Sequence, residues 1–465
     1  MGIYNALFTG ASGLTAFGNA VSVVGDNIAN VNSLAFKDQT VNFSDVFGQT
    51  VNVTRSNIAN QVGNGVTIGA ITRNEAQGSV QSTSTSTDMA INGEGMFVLK
   101  DPNSGNVVYS RAGAFLKDSS SNLVNAQGYQ VQGWALDSSG NAIGGVTDIT
   151  LANLAATAQA TSNVTAGVNL DATAPVIPTS TTFDPTNPAT YNYKSDTTVY
   201  DSLGASHTLS VYFVKRGTDS SGGSNTSNAV WDWYATVDGA AVGGTAGTPT
   251  VVGSAATTSS TVNASNQVTT LGPQSLVFDA SSGALTTEVS PNVTIPWANA
   301  ASGSISLDFG NATTVDAQGI TGSGTNGTVQ LAGNFATRSM AADGYTSGFL
   351  SSLETDSTGR ITGVFTNGQR RPLYQLALAN FPNPAVLNNI GNNMLAQTNA
   401  SGTPVIEKPG NAGMGTIQSD ALEQSNVDLA NEFTKLITIQ HGYEANSKTV
   451  LTTDQMLSTL MSIKR

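Results

Sequence analysis

Cysteine is absent from the 465 residues of this sequence. Its absence excludes disulfides, thiolate nucleophiles and cysteine-ligated metal sites, and it suits a protein that leaves a cell unfolded without cross-linking. Histidine is nearly as scarce, since only His207 and His441 occur. With no cysteine and no H-E-x-x-H spacing, these two residues predict polar surface positions rather than a metal or catalytic pair. We therefore expect no cofactor and no bound metal.

Charged residues are also scarce, at 11 % of the chain, compared with roughly 25 % in average soluble proteins. The stretch 118–337 contains three basic residues, Lys194, Lys215 and Arg216, against 14 acids. A nucleic-acid-binding protein needs clustered Lys and Arg to displace phosphate counterions, so this class is excluded. The acidic middle instead predicts a well-solvated exterior.

Long hydrophobic runs are missing as well. We find no run of about 18 apolar residues, which predicts that the chain does not insert into a membrane. The first basic residue is Lys37, so the basic region of a secretory signal is lacking, and we expect export without a cleaved signal peptide. No phosphate-binding glycine loop and no nucleophile-elbow motif occurs in the right context, which predicts that the protein is not an enzyme.

Apolar residues recur every seven positions at both ends of the chain, and such heptads predict amphipathic helices. We interpret them as an assembly interface because the middle of the chain lacks the pattern. The alternative is that each helix packs only on its own domain. The first set is Leu7, Leu14, Phe17, Val21, Val24, Ile28 and Val31, with Gly10 filling one place, and the second is Leu429, Phe433, Leu436, Tyr443, Val450 and Leu457. Asn426 or Asp428 is expected to cap the second helix.

The middle of the chain, from about residue 67 to 381, predicts β-strands separated by turn residues, with a clear hairpin at 198–215. We therefore predict a multidomain, mainly β fold of nested β-domains, whose paired N- and C-terminal helices form a coiled-coil-like base. The predicted segments are a helical assembly domain (1–31 and 426–465), an extended linker region (32–75 and 405–425), an inner β-domain (76–150 and 337–404) and an outer β-domain insertion (151–336).

Short motifs at both ends carry a family likeness. Residues 27–37 (NIANVNSLAFK) and 425–429 (SNVDL) resemble the signatures of the bacterial flagellar rod and hook axial proteins. The residues that carry it are Asn27, Ile28, Ala29, Asn30, Phe36, Lys37, Ser425, Asn426, Val427, Asp428 and Leu429. Leu34 and Ala35 depart from the more usual small residue or Thr followed by Gly. The length and the 198–215 hairpin point within this family to the hook.

The resemblance implies a structural subunit that polymerises with itself into a flexible helical tube, which couples motor torque to the filament. It implies that the inner β-domain forms the tube wall and that the insertion forms its outer surface. Its implied partners are rod, hook-cap and hook–filament junction proteins and the flagellar type III export apparatus, with an extracellular location in the hook. A distal-rod or other axial subunit is the nearest alternative, and a secreted β-rich adhesin or tail-fibre protein is a more distant one.

Overall fold

The computed structural model describes residues 2–53, 59–152, 154–220, 227–253, 260–263, 265–289, 292–314 and 321–463. The chain divides into two compact units. The first comprises Met1–Leu154, Leu350–Val364 and Arg370–Arg465, and the second comprises Ala155–Phe349 and Phe365–Gln369. The chain therefore leaves the first unit after Leu154 and re-enters it at Leu350.

Two long helices lie at the ends of the chain, α1 over Gly2–Ala29 and α2 over Leu429–Ile463. The carboxylate of Asp428 accepts hydrogen bonds from the backbone N–H of Ala430 (2.9 Å) and Asn431 (3.3 Å), so Asp428 caps α2 and Asn426 does not. Short 3₁₀ turns occur at Pro188–Thr190, Gly239–Val242 and Pro384–Val386.

The remaining described chain consists of strands joined by turns and loops. The early strands are β1 Gln39–Asp45, β2 Gln49–Val53, β3 Ala59–Val62, β4 Val66–Arg73, β5 Val80–Ser82, β6 Met89–Asn92, β7 Met96–Lys100, β8 Val107–Ser110, β9 Leu116–Lys117, β10 Leu123–Val124, β11 Gln130–Leu136 and β12 Ala142–Asp148. The middle strands are β13 Ala155–Ala156, β14 Asn163–Asp171, β15 Tyr193–Tyr200, β16 Ser206–Asp219, β17 Ala229–Asp238, β18 Pro249–Val252, β19 Thr261–Val262, β20 Gln267–Thr270, β21 Ser275–Phe278, β22 Leu285–Glu288, β23 Asn292–Ile295, β24 Gly303–Asp308, β25 Val329–Leu331 and β26 Ala336–Ala342. The late strands are β27 Gly348–Thr355, β28 Arg360–Phe365, β29 Arg370–Leu376, β30 Leu378–Asn380, β31 Asn388–Gly391, β32 Met394–Ala396, β33 Val405–Glu407, β34 Thr416–Ser419 and β35 Ala421–Glu423.

The first unit is built on a sheet in the order β28-β29-β11-β7-β8-β32-β31, which joins early and late strands. Its core includes Tyr109 packed edge-to-face on Phe381, with ring centroids 4.8 Å apart. Two small pairings, β6 with β34 and β5 with β35, bring the segment before α2 next to the segment that follows β4. Strand β1 pairs with β4 in a separate two-stranded sheet beside α1.

The second unit contains two sheets around one apolar core. One has the order β23-β24-β14-β25, and the other has the order β19-β20-β16-β17-β21-β22. Trp231, Trp233 and Phe213 are fully buried in the core between them. The predicted 198–215 hairpin is confirmed as β15 and β16, whose turn is closed by the Asp201 carboxylate accepting hydrogen bonds from the N–H of Leu203 and Ala205.

The predicted fold class is confirmed, while several boundaries differ from the prediction. The predicted linker region 32–75 contains the strands β1 to β4. Most residues of β1 and β4 are exposed, so these strands add little to an apolar core. Residues 337–349 belong to the second unit rather than to the inner β-domain, because β26 pairs with β14 along its length. The four-part division of the chain stays a prediction.

The hydropathy of α1 also corrects the sequence analysis. Residues Tyr4–Ala29 reach a mean hydropathy of 1.3 and, by length and composition, could cross a membrane. The sequence analysis did not identify this segment because its Ala, Val, Leu, Ile and Phe residues are interrupted by Gly, Ser, Thr and Asn and form no continuous apolar run. The expectation that the chain does not insert into a membrane stays a prediction. One such helix is weak evidence of a membrane span, since core helices and signal sequences have the same composition.

Candidate functional site

The two terminal helices pack against each other in antiparallel register. Phe17 lies against Gly442, Gly13 against Asn446 and Gly10 against Val450. A Cβ atom added to Gly442 would lie 2.8 Å from Cζ of Phe17, and one added to Gly13 would lie 2.5 Å from Oδ1 of Asn446. Real Cβ atoms essentially never make contacts this short, so a side chain at either position would displace Phe17 or Asn446. The two glycines therefore allow the helices to approach closely.

Small and polar residues form the buried face of each helix. On α1 this face is Gly10, Gly13, Ala16, Ala20, Val24 and Asn27. On α2 the only buried residues are Glu432 and Thr453, with Ile439 and Asn446 half-buried between them. The predicted heptads place two rows of residues on the contact face of each helix. On each helix, the residues observed on the buried face follow one of these rows shifted by one residue towards the N-terminus.

We call the contact face between α1 and α2 the seam. The residues of the predicted heptads are less buried than residues of such a seam need to be. Half-buried positions are occupied by Leu7, Leu14, Phe17, Val21, Ile28, Leu436, Val450 and Leu457, and only Val24 is buried. Leu429, Phe433 and Tyr443 are 39 %, 50 % and 44 % exposed, and Val31 lies beyond the end of α1. The heptad pattern selects large apolar side chains, whereas close packing here selects small ones. The assignment of these residues to an assembly interface stays a prediction.

Asn27 holds α1 to both α2 and β1. Its side-chain nitrogen Nδ2 donates to the Glu432 carboxylate (3.0 Å) and to the backbone carbonyl of Gln39 (2.8 Å). Its Oδ1 accepts a hydrogen bond from the N–H of Gln39 (2.9 Å). The second oxygen of Glu432 pairs with Lys435 at 2.5 Å. Because Asn27 is fully buried, this amide fixes the angle at which the chain leaves α1.

A second buried carboxylate, Glu423, joins three segments that are distant in sequence. Its two oxygens contact Lys37 Nζ (2.6 Å) and Arg111 Nε (3.1 Å). The N–H of Gly78 donates to the same carboxylate at 2.9 Å, and the backbone carbonyl of Glu423 accepts the N–H of Ala35. Burial lowers the pKa of Lys37 from its ordinary value, although its hydrogen bond to Glu423 acts in the opposite direction.

The motif residues surround these two carboxylates. Asn426 Oδ1 accepts the N–H of Asp38, and Asn426 Nδ2 donates to the carbonyls of Asn74 and Ala76. The N–H of Asn426 donates to the carbonyl of Phe36, which is itself buried. The other motif residues lie on the same two segments, where Ile28, Asn30, Ser425 and Val427 are half-buried and Ala29 and Leu429 are exposed. We call the cluster of Asn27, Lys37, Arg111, Glu423, Asn426 and Glu432 the joint.

The joint can position chain segments, and its chemistry suits that task. Its two cations, Lys37 and Arg111, are buried and pair with the buried carboxylate of Glu423, so they hold a fixed geometry. Within the described ranges, no group of three or more His, Asp or Glu side chains could hold a metal ion. Sequence reasoning did not assign Arg111, Glu423 or Glu432 to the site. The contacts of Arg111 with Glu423 and of Glu432 with Asn27 join residues 312 and 405 positions apart, and no local signal identifies them.

Large apolar side chains on both helices face away from the seam. Those more than about a third exposed include Tyr4 and Phe8 on α1, and Leu429, Phe433, Ile437, Tyr443, Leu451, Met456, Leu460, Met461 and Ile463 on α2. Soluble monomers rarely expose many large apolar side chains on one pair of helices, and exposed apolar surfaces mark interaction sites. Paired chain ends with a buried joint and exposed apolar side chains are the features expected of a structural subunit that assembles with other subunits.

Comparison with known proteins gives the class of this subunit. Family models match residues 7–37 (Flagella basal body rod protein), 90–169 (Flagellar hook protein FlgE/F/G D1 domain), 169–345 (Flagellar basal body protein FlaE D2 domain) and 418–463 (Flagellar basal body rod FlgEFG protein C-terminal). The matches cover both helices and most of the β-structure. The class is therefore the axial structural proteins of the bacterial flagellum.

Full-length relatives narrow the class to one family. The chain is 34 % identical to the flagellar hook protein FlgE of Borreliella burgdorferi, over 99 % of both chains. It is 32 % identical to the FlgE of Escherichia coli K12, over 97 % of this chain and 98 % of that protein. The chain belongs to the flagellar hook protein family, and it is a structural subunit of the hook that polymerises with itself. The crystal structure of Helicobacter pylori flagellar hook protein FlgE2 aligns with 74 % of this chain and all of that chain, at a TM-score of 0.47 and 13 % identity.

Proposed function

We propose that copies of this chain assemble through their terminal helices into a flexible helical tube that transmits motor torque to the filament. The observation that supports this most directly is the apolar outer face of α1 and α2, which the seam between them leaves uncovered. Heterologous contacts between identical subunits build open helical polymers when their rotation does not close into a ring. The helices line the inside of the tube, the inner β-domain forms its wall, and the insertion forms its outer surface.

The surface composition supports flexibility. A chain with 11 % charged residues and 49 glycines presents mainly hydroxyl, amide and backbone groups. Such groups exchange hydrogen bonds with water at a small net cost, whereas buried ion pairs between subunits resist sliding because a charge left without its partner is costly. Neighbouring subunits can therefore shift as the tube bends.

We also propose that the chain travels unfolded through the flagellar type III export apparatus and meets rod, hook-cap and hook–filament junction proteins outside the cell. The lack of cysteine supports this route, because no disulfide can trap the chain before it folds. The glycine-rich first helix supports it too, since each glycine weakens the isolated helix by about 1 kcal/mol relative to alanine.

Electron microscopy of the purified, concentrated protein tests this function, and we expect curved tubes. Replacing Phe433 or Leu451 by Asp places a charge on the exposed apolar face without touching the seam, since these side chains are 50 % and 59 % exposed. Burying each apolar side chain contributes about 1.5–3 kcal/mol, so the concentration needed for assembly should rise roughly tenfold or more. The thermal unfolding midpoint of the monomer should not change.

The matched control is Thr452→Asp, which adds the same charge at an exposed polar position of α2. It should assemble nearly as the parent protein does. If all three variants assemble equally well, the apolar face is not the assembly interface. A protein that remains monomeric at every concentration contradicts the proposed function itself.

A further inference from the structure

The helices are of unequal length, and their register leaves the end of α2 without a partner. Since Gly10 lies against Val450 and Phe17 against Gly442, the first residue of α1, Gly2, comes level with Leu457 and Ser458. Residues 458–463 therefore extend past α1 by about one and a half turns. On this end of α2, Met456, Leu460 and Ile463 follow the four- and three-residue spacing of one helix face, and they are 59 %, 53 % and 77 % exposed.

An apolar groove lies at the opposite end of the same helix pair. It has a volume of about 340 Å³ and lies between α1, β1 and the beginning of α2. Its apolar lining is Val23, Val24, Val41, Phe43 and Ile439, with Thr434, Lys435 and Thr438 at its side. Phe43 packs on Phe17 with ring centroids 5.2 Å apart, so the floor of the groove is fixed by the helix that it borders.

The tip of α2 cannot reach the groove of its own chain. Residues 439 and 460 lie on one continuous helix, and 21 residues of helix span about 32 Å. Two basic residues, Lys464 and Arg465, follow the tip in the sequence. At the groove end, Lys435 is paired with Glu432, and the carboxylates of Asp26 and Asp428 are exposed.

We propose that the tip of α2 in one subunit docks into the groove of a second copy of this chain, with Met456, Leu460 and Ile463 facing its apolar lining. This contact is heterologous, because a tip and a groove are different surfaces. A bound pair therefore keeps a free groove on one copy and a free tip on the other, and assembly continues. The inference rests on the proposed assembly into a tube, and it names the contact that propagates it.

Disulfide trapping tests the contact cleanly, because the natural chain has no cysteine. One preparation carries Ser462→Cys at the tip, and a second, tagged to differ in mass, carries Thr438→Cys at the groove. Both positions are exposed, and both changes keep the side chain small and leave the apolar lining intact. The two preparations are mixed, assembled and oxidised, and the mixed dimer is measured on a non-reducing gel.

The matched control pairs Ser462→Cys with Thr452→Cys, an equally exposed position on α2 outside the groove. We expect at least ten times more mixed dimer from the 462–438 pair than from the 462–452 pair, and only in assembled material. Tubes that form normally but give equal yields from both pairs overturn the docking of the tip while leaving tube assembly intact. If no tubes form from any preparation or from the parent protein, the proposed function fails and this contact fails with it.

Discussion

At Glu423, three segments of the chain depend on one carboxylate. Its side chain is fully buried, and those of Lys37 and Arg111 are 5 % and 9 % exposed. Replacing Glu423 by Gln keeps the shape but leaves two buried cations without a negative partner. Breaking a buried ion pair in this way costs about 3–5 kcal/mol. Urea unfolding of the monomer should show this loss in the first unit.

The matched control for this variant is Glu354→Gln, which removes an equally short ion pair with Arg370 at the surface. The distance there is 2.8 Å, but the Arg370 side chain is 65 % exposed. Exposed pairs contribute about 1 kcal/mol or less, so the control should unfold close to the parent midpoint. Similar midpoints for both variants would show that the joint is not a stabilising element.

Only some residues of the joint could be predicted from the sequence. The family resemblance singled out Asn27, Lys37 and Asn426, and the structure places all three there. It did not single out Glu423 or Arg111, because the ion pairs join residues 386 and 312 positions apart. No periodicity or spacing records a contact over that separation, since it depends on how the strands between them pair.

At the scale of the helices, replacing two different glycines by alanine should change the stability of the helix pair in opposite directions. Gly442 lies against the Phe17 ring, whereas no atom of the described residues lies within 4 Å of a Cβ atom added to Gly18. Gly442→Ala should therefore lower the helix content and the thermal midpoint, because the Phe17 ring is also held by Phe43. Gly18→Ala should stabilise α1 by about 1 kcal/mol, because alanine favours the helix.

Circular dichroism at 222 nm during a thermal scan measures both effects on the same helix pair. Gly25→Ala is a second control, since a Cβ atom there also meets nothing within 4 Å. An equal gain in stability from all three substitutions would show that α1 and α2 do not approach as closely as the structure indicates.

The seam also explains why the heptads located the helices but misplaced their contact face. Both terminal helices were predicted, and both are present. Large residues such as Leu14 and Phe433 dominate any apolar count, whereas Gly13 and Glu432, one residue earlier in each case, face the partner helix. In this seam the helices approach closely because glycines lack side chains and because a buried amide pairs with a buried carboxylate. A pattern based on hydrophobicity cannot identify such residues.

At the scale of the whole molecule, we expect the first unit to fold after the second unit has been deleted. Ala155 lies opposite Phe349 in an antiparallel pair, so the two chain crossings are neighbours and a short glycine linker can replace 155–349. The remaining first unit should fold, because its sheet is built from strands on both sides of the gap. We expect cooperative thermal unfolding with the helical circular dichroism signal retained.

The control deletion removes 151–336, the insertion expected from the sequence. It leaves residues 337–342 of β26 in place but removes β14, with which they pair. This protein should be less soluble, because an unpaired strand is a site of aggregation. If both deletions behave alike, residues 337–349 do not belong to the second unit.

Because the chain leaves and re-enters the first unit at neighbouring positions, a foreign domain can be inserted into the hook subunit there. Cα atoms on opposite strands lie about 5 Å apart, so any domain whose own ends are that close can be grafted between Leu154 and Leu350. Small enzymes and single-chain binders often have such ends, because chain termini of compact domains tend to lie near each other. A polymer of grafted subunits would display its cargo at a regular, repeating spacing that the tube itself sets.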